Sequence, residues 1–310
     1  MSNSWKIAMA CLLLGVAAGA HAQTGPRAPQ EPASPSDSEQ LKIAALEALV
    51  AAPPQKALPI VKKVLQGDGS DELKQRALFV LSQIDLPEAE TLLMESARSG
   101  DSAVRREAIR MIGVGGGAKA LASLEELYAG GDRETKQAVL EAYLIAGQED
   151  AVYRIAANAR DPEEFQAAVN MLGAMGALEQ LRALRTRGDM SETLINAYAV
   201  AGDTETLREL ALDGSNPERQ AQAIHALGIA GGPDVGKTLV AIWRGTDSPD
   251  IKDAVREGLL IAGDDDAVLT LFRESRDSDE KRELLQTLVN MDSEAVWDII
   301  DSTLEGEGTQ

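Results

Sequence analysis

Side chains that could carry out chemistry are few in this sequence. Two histidines and one cysteine occur in 310 residues, and His225 is the only one of the three beyond residue 22. A lone histidine provides neither a Cys–His pair for nucleophilic catalysis nor a histidine-rich metal site. Carboxylates make up 50 of the 310 residues, so close pairs arise by chance and do not indicate acid–base catalysis. We therefore predict no catalytic, cofactor-binding or metal site, and no enzymatic activity.

Two acidic runs and two glycine-rich stretches resemble ligand sites but have simpler explanations. The runs 264–266 and 277–280 lack the glycine turn and the distal glutamate of a calcium-binding loop, and aspartates at turns between helices act as N-caps. The stretches 115–117 and 231–233 lack the Lys-Ser/Thr ending of a phosphate-binding loop. All four are expected to mark the ends of helices.

A motif that recurs about every thirty residues indicates what the helices form. Ala-Ile-Arg-Met-Ile-Gly begins at Ala108, Ala-Val-Asn-Met-Leu-Gly at Ala168 and Ala-Ile-His-Ala-Leu-Gly at Ala223. Helix-start residues precede these copies at intervals of 31, 29, 55, 31 and 30 residues, namely Asp101, Asp132, Asp161, Asn216, Asp247 and Asp277. A period of this length predicts stacked supersecondary units.

Each unit reads as two helices separated by a glycine. Glycines suited to the left-handed end of a first helix are Gly147, Gly176, Gly202, Gly231 and Gly263. No segment shows the alternation of a strand, so the chain is predicted to be all-α. Nine helix pairs are expected at 38–67, 70–99, 101–130, 132–160, 161–188, 189–214, 216–245, 247–276 and 277–305. Pro53, Pro54 and Pro59 are expected to interrupt the second helix of the first pair.

This pattern resembles the HEAT-like repeat family, in particular the short form named from phycobilisome lyases. The resemblance rests on an Asp start, an apolar-Arg pair such as Val104-Arg105 or Val255-Arg256, and Ala-x-x-Leu-Gly-x-x-Gly. It covers about 38–305 and implies a right-handed α-α superhelix of the armadillo-like solenoid class. The family includes adaptors, lyase subunits, DNA-repair proteins and a di-iron hydroxylase, so it does not choose a function.

The N-terminal segment predicts export. Lys6 is followed by an uncharged apolar stretch, 7–20, and by Ala20-His21-Ala22, which fits a cleavage site. We expect residues 1–22 to be a signal peptide, 23–37 a proline-rich disordered linker, 38–305 the solenoid and 306–310 a disordered tail. The product is expected in a Gram-negative periplasm or secreted, without membrane insertion after cleavage. An uncleaved anchor or a lipid anchor at Cys11 is the alternative.

The net negative charge of the chain limits the kinds of partner that it is expected to bind. The chain carries a net charge of −20, and −21 once Lys6 is removed with the signal segment. Such an acidic surface repels phosphate backbones, so nucleic-acid binding is not expected. The segment from Gly245 onward contains 18 acidic and 6 basic residues. The acidic residues are either solvated surface and N-caps or a docking surface for a basic partner.

A small basic and aromatic patch is the candidate protein-binding site. In solenoids of the resembled family the second helices line the concave face, and aligning them places Tyr153, Arg182 and Arg208 at equivalent positions. Together with the neighbouring Arg154 and Arg185, these residues form what we call the arginine patch. The alternative is pairing within the chain to three carboxylates, Glu179, Glu205 and Glu209. Trp243 and Trp297 are expected to pack in the core or at the end of the array.

These observations predict a non-enzymatic, exported scaffold that binds a protein partner, with no cofactor. One alternative is a subunit of a lyase-type enzyme resembling phycobilin lyases. Another is a binder of glycans or cell-envelope ligands, which would need a groove of exposed Trp and Tyr, whereas aromatic residues make up 3% of the chain. The sequence sets neither the partner nor the oligomeric state.

Overall fold

The computed structural model describes residues 37–185 and 192–305, and every structural statement below concerns these ranges. The chain divides into two compact units, 1–41 and 42–310. Of the first unit, only the start of one helix is described. The predicted signal peptide, most of the predicted linker, the predicted tail and the expected start of the sixth pair near Asp189 lie outside the described residues.

The described chain contains eighteen α-helices and no strand. The first helices of successive pairs are α1 (Asp37–Ala48), α3 (Asp71–Ser82), α5 (Ser102–Gly115), α7 (Arg133–Ala146), α9 (Pro162–Met175), α11 (Glu192–Ala201), α13 (Pro217–Ala230), α15 (Pro249–Ala262) and α17 (Ser278–Asn290). The second helices are α2 (Pro54–Leu65), α4 (Pro87–Ser99), α6 (Ala118–Gly130), α8 (Glu149–Asn158), α10 (Leu178–Leu184), α12 (Thr204–Leu212), α14 (Val235–Gly245), α16 (Asp265–Glu274) and α18 (Glu294–Leu304). A short 3-10 turn, Leu49–Ala51, follows α1. The prediction of nine helix pairs is confirmed.

Most helix starts follow the predicted capping chemistry. The side chain of Asp101 accepts a hydrogen bond from the backbone N–H of Val104 at 2.9 Å, and Asp132, Asp161, Asn216 and Asp277 cap their helices in the same way. The prediction for Asp247 was wrong by one residue. Ser248 is the N-cap of α15, because Pro249 takes the first helical position and the cap must directly precede it.

The first pair also differs from expectation. Pro54 is the first residue of α2, a position where a backbone N–H would have no acceptor within the helix, so the N–H that proline lacks is not needed. Pro59 lies inside α2 on its exposed side and does not end the helix. Packing of Ala57 and Val61 into the core holds the two turns together around the proline.

Glycines in the repeated motif have two separate roles. The closing glycines have positive φ angles, from 65° at Gly147 to 75° at Gly202. Gly147, Gly176 and Gly263 have the left-handed conformation predicted for the end of a first helix, whereas Gly231, with φ 67° and ψ −166°, does not. The earlier glycine of the motif lies within the helix and lets two first helices approach closely. A Cβ atom at Gly228 would lie 2.6 Å from the carbonyl oxygen of Gly258 on α15, and one at Gly113 would lie 2.7 Å from that of Ala142 on α7.

Packing runs from neighbour to neighbour along the chain. Each first helix from α3 onward packs against the first helix of the next pair, and each second helix also contacts the pair that follows. The buried residues join into one continuous apolar cluster from Leu46 to Val296. This arrangement is the α-α solenoid that the repeats predicted.

A lysine near the start of a first helix links pairs at three places. Lys136, Lys252 and Lys281 lie 5.5, 5.3 and 5.4 Å from the ring centroids of Tyr128, Trp243 and Phe272, respectively. Lys136 also pairs with Glu164 and Lys252 with Glu280, each on the next pair. Trp243 is buried, as expected. None of the described helices combines the length and the apolar character needed to cross a bilayer.

Candidate protein-interaction surfaces

Three residues of the arginine patch lie at equivalent positions of the second helices. Tyr153, Arg182 and Arg208 are each the fifth residue after the N-caps of α8, α10 and α12, so they occupy equivalent positions on consecutive second helices. Tyr153 is half-buried and packs against the core. The arginines of the patch are available to a partner only where carboxylates of the same chain do not already pair with them.

Arg182 makes the most extensive contacts of the patch. Its Nε and Nη2 atoms donate to Asp203 at 2.8 and 2.6 Å, and Nη2 also lies 3.3 Å from Glu205. Asp203 is the N-cap of α12 and is 2% exposed, and it also accepts hydrogen bonds from the backbone N–H and the hydroxyl of Thr206. The contact therefore joins the fifth pair to the sixth.

Electrostatics reinforce this contact. Burial of Asp203 opposes ionisation, but the hydrogen bonds from Arg182 and Thr206 outweigh it and hold the pKa of Asp203 below its usual value. The hydrogen bonds to Asp203 and the charge of that carboxylate raise the pKa of Arg182. Both groups are therefore charged at neutral pH and paired with each other.

Two other arginines of the patch are also paired within the chain. Arg185 donates to Glu209 at 2.9 Å, and Arg154 lies 3.5 Å from Glu125 on α6. Arg208 has no ion pair in the described chain, and its charge helps to lower the pKa of Asp234, after the larger effect of a hydrogen bond from Lys237.

Similar pairs continue along the other second helices. Arg98 lies 3.6 Å from Glu126, and Arg244 makes a two-point contact with Glu274 at 2.6 and 2.9 Å. Among the alternative partners that the sequence offered, Glu205 and Glu209 take part and Glu179 forms no ion pair in the described chain. The second helices thus present linked charge pairs, and most of the patch is neutralised internally.

A second surface was missed by the sequence analysis. Exposed aliphatic side chains recur at one position of the first helices, two residues before the glycine that follows or ends the helix. We call this set the aliphatic row; its members, with exposed fractions, are Val114 (45%), Ile145 (47%), Val200 (67%), Ile229 (53%) and Ile261 (42%). In the fifth pair the same position is the smaller Ala174.

The row follows the first helices, which pack side by side, and only the smaller Ala174 on α9 interrupts it. Consecutive contacts run from α5 through α7, α9, α11 and α13 to α15. Packed helices lie about 8–10 Å apart, so residues at equivalent positions form a line with that spacing. Leu144 and Leu260, each 38–39% exposed, widen the line at two places. The signal in the sequence was the repeated aliphatic residue at a fixed distance from the closing glycine.

Carboxylates lie beside the row along the chain. The second helices that follow begin with acidic residues, including Glu149 and Asp150 on α8, Glu205 on α12 and Asp266 on α16. Only a short turn separates each of these acidic residues from a residue of the row, for example Glu149 from Ile145 and Glu205 from Val200. Exposed aliphatic groups are therefore followed closely in sequence by carboxylates, of which Glu205 is also paired with Arg182.

The acidic runs act as predicted, at helix starts. Asp264 accepts from the N–H of Ala267 at 3.0 Å, and Asp277 accepts from two backbone N–H groups of α17. No group of three His, Cys, Asp or Glu residues within the described ranges is arranged to hold a metal ion. His225 lies on the exposed side of α13, one helical turn before Ile229.

These observations define an α-solenoid repeat protein with charged second helices and an aliphatic row on its first helices. Residues 58–143 match the family model described as HEAT repeats, and the same helix pairs continue through residue 304. The comparison thus assigns HEAT repeats to residues 58–143.

Further comparisons give the following similarities. Human deoxyhypusine hydroxylase in complex with glycerol is 16% identical with a TM-score of 0.30, over 73% of this chain and 98% of that one. The complex of CpcE and CpcF of phycocyanin lyase from Nostoc sp. PCC7120 is 17% identical with a TM-score of 0.34, over 86% of this chain and 99% of that one. Among curated proteins, none matches the chain.

Proposed function

We propose that this protein is an exported HEAT-repeat scaffold that binds a protein partner along its aliphatic row and does not itself catalyse a reaction. The observation that carries the proposal is the row, which places five exposed aliphatic side chains at equivalent positions. Soluble proteins rarely expose apolar side chains in a continuous line unless a partner covers them. A rigid solenoid supplies such a line without any rearrangement.

The charge that follows the row in sequence supports a particular kind of partner. Acidic residues follow the row at the starts of α8, α12 and α16, and the whole chain carries −20. A segment with apolar side chains on one side and lysine or arginine beside them complements both features. Attraction between opposite charges also increases the rate of encounter. The partner is therefore proposed to be a cationic, amphipathic protein segment.

The arginine patch has a different role in this proposal. Because Arg154, Arg182 and Arg185 pair with carboxylates of the chain, they stabilise the stacking of second helices and are not the recognition surface. A glycan-binding groove of exposed Trp and Tyr is less well supported, since Tyr128, Tyr143, Tyr198 and Trp243 are buried and Trp297 on α18 is the one exposed Trp or Tyr in the described chain.

A titration with a defined probe tests the row. The probe is a fluorescent amphipathic helix of leucine and lysine, and the comparison probe replaces lysine with glutamate. Loss of two aliphatic contacts in the double variant Val200→Ser/Ile229→Ser is expected to weaken binding of the lysine probe by about tenfold or more. The matched control is Leu212→Ser, which removes an aliphatic residue 56% exposed on α12, outside the row. Equal binding by the double variant and the control would refute the role of the row.

Export is tested separately. The proposal rests on Lys6, the apolar stretch 7–20 and Ala20-His21-Ala22. The intact mass of the protein isolated from its producing cells should correspond to a chain that begins at Gln23. A chain that retains Met1, or a lipid attached to Cys11, would contradict cleavage after Ala22.

A further inference from the structure

We infer that this chain associates head to tail, with the C-terminal face of one copy seated in the N-terminal groove of another. The C-terminal face consists of Trp297, Ile300 and Leu304 on α18. The N-terminal groove lies between α1, α2 and α3 and is lined in part by Leu46, Leu49, Ile60 and Val64. The inference does not depend on the aliphatic row or on its partner.

The C-terminal face includes a position that is core in four other second helices. The fourth residue after the N-cap of a second helix is Val152 in α8, Leu181 in α10, Leu207 in α12 and Val268 in α16, and each is 0% exposed. The residue at this position in α18 is Trp297, which is 58% exposed.

Other residues of α18 extend the same open face. Ile300 is half-buried one turn further on, and Leu304 is 80% exposed. A terminal repeat that faces water normally carries polar residues at such positions. This end of the array therefore keeps the apolar surface of a repeat that has a neighbour.

The N-terminal groove is the complementary open surface. It has a volume of about 610 Å³, and Ile60 on its wall is 48% exposed. Leu46 is the one buried residue among the described side chains of α1, from 38 to 48, so α1 covers the wall of the groove incompletely. The groove can thus receive apolar side chains from a helix of another molecule.

Charge makes the two ends complementary in an otherwise acidic protein. Residues 42–67 contain four lysines and one glutamate. Two lysines, Lys42 and Lys63, and one carboxylate, Asp68, line the groove, so its lining carries one net positive charge. Residues 292–305 contain five acidic residues and no basic residue. Lys42 and Lys63, like Asp298 and Asp301, are exposed and form no ion pair in the described chain. Two C-terminal faces would repel each other, as would two grooves, so opposite ends attract and like ends do not.

A contact between two different surfaces can propagate from copy to copy, unlike a symmetric dimer contact. Sedimentation velocity of the purified chain over a concentration series is expected to show mass that increases from one chain to two and more. Ile60→Asp blocks the groove and Trp297→Lys blocks the face, so each variant alone should remain a single chain. The control Leu212→Asp, which lies on neither surface, should associate like the wild type.

Mixing the two blocked variants is the decisive step. An equimolar mixture retains one intact groove and one intact face, so it should form a dimer of the two variants and nothing longer. Circular dichroism checks that each variant is folded, and Lys63→Glu replaces Ile60→Asp if the latter unfolds. A wild type that stays a single chain at every concentration would overturn the inference. So would self-association of the groove variant, since that would indicate contact between two C-terminal faces.

Discussion

Arg182 on α10 and Asp203 at the start of α12 form a two-point contact, with 2.6 Å between Nη2 and Oδ1 and 2.8 Å between Nε and Oδ2. The carboxylate is buried, caps α12 through the N–H of Thr206, and pairs with an arginine of the preceding repeat. One side chain thus serves both the local helix and the stacking of two repeats.

The first prediction concerns this contact. Asp203→Ala removes the N-cap and leaves Arg182 without its main partner, so it is expected to lower the free energy of unfolding by about 2–4 kcal/mol. Urea denaturation followed by circular dichroism measures the change. The control is Glu205→Gln, at a carboxylate whose side chain is 67% exposed, where the expected loss is below about 1 kcal/mol. Equal effects of the two substitutions would contradict the importance of the buried carboxylate.

The second prediction is the pH dependence of the same contact. The pKa of Asp203 is lower in the folded chain than the value of about 3.9 in an unfolded chain. Its contribution to stability is therefore complete above that unfolded value and is lost as the pH falls through the lower folded value. Below about pH 4 the wild type should lose stability more steeply than Asp203→Ala. Parallel curves of unfolding free energy against pH would contradict this.

Particular residues show how far the sequence determines the fold. Local chemistry favours Asp and Asn at helix starts and glycine where φ is positive. These residues therefore predict the number of helix pairs and nearly all of the positions at which the pairs begin and end. Ser248 was missed because Asp247, Ser248 and Pro249 offer two possible caps in a row.

The surfaces required three-dimensional information. The equivalence of Tyr153, Arg182 and Arg208 follows from helix register, but the partners of the arginines do not. Arg182 meets Asp203 across 21 residues of sequence, and that meeting depends on how the second helices stack. The exposure of the aliphatic row likewise depends on which side of each first helix is covered by neighbouring helices. The periodicity of the sequence does not determine that side.

The third prediction tests the close approach of first helices. Gly228→Ala would place a Cβ atom 2.6 Å from the backbone of Gly258, which cannot move as a flexible side chain would. The expected cost is about 1–3 kcal/mol. Gly245→Ala is the matched control, because a Cβ there meets no atom within 4 Å at the end of α14. Thermal unfolding should separate the two variants, and similar stabilities would show that α13 and α15 can move apart without cost.

The fourth prediction concerns how far the destabilisation caused by a core substitution spreads along the array. Leu227 is 1% exposed in α13, so Leu227→Ala should cost about 2–5 kcal/mol. Because repeats contact their neighbours only, amide hydrogen exchange should increase mainly from the sixth to the eighth pair. A uniform increase from the first pair to the ninth would contradict an array held together by nearest-neighbour contacts.

The aliphatic row as a protein-binding surface is the central claim, and photo-crosslinking in the producing cells tests it most directly. A photoreactive phenylalanine analogue placed at Val200 or at Ile229 should form a covalent adduct with a protein whose crosslinked segment is cationic and amphipathic. The same analogue at Leu212, an equally exposed aliphatic position away from the row, should form no such adduct. An adduct from Leu212 alone, or none from either row position, would contradict the claim that the row binds a protein partner.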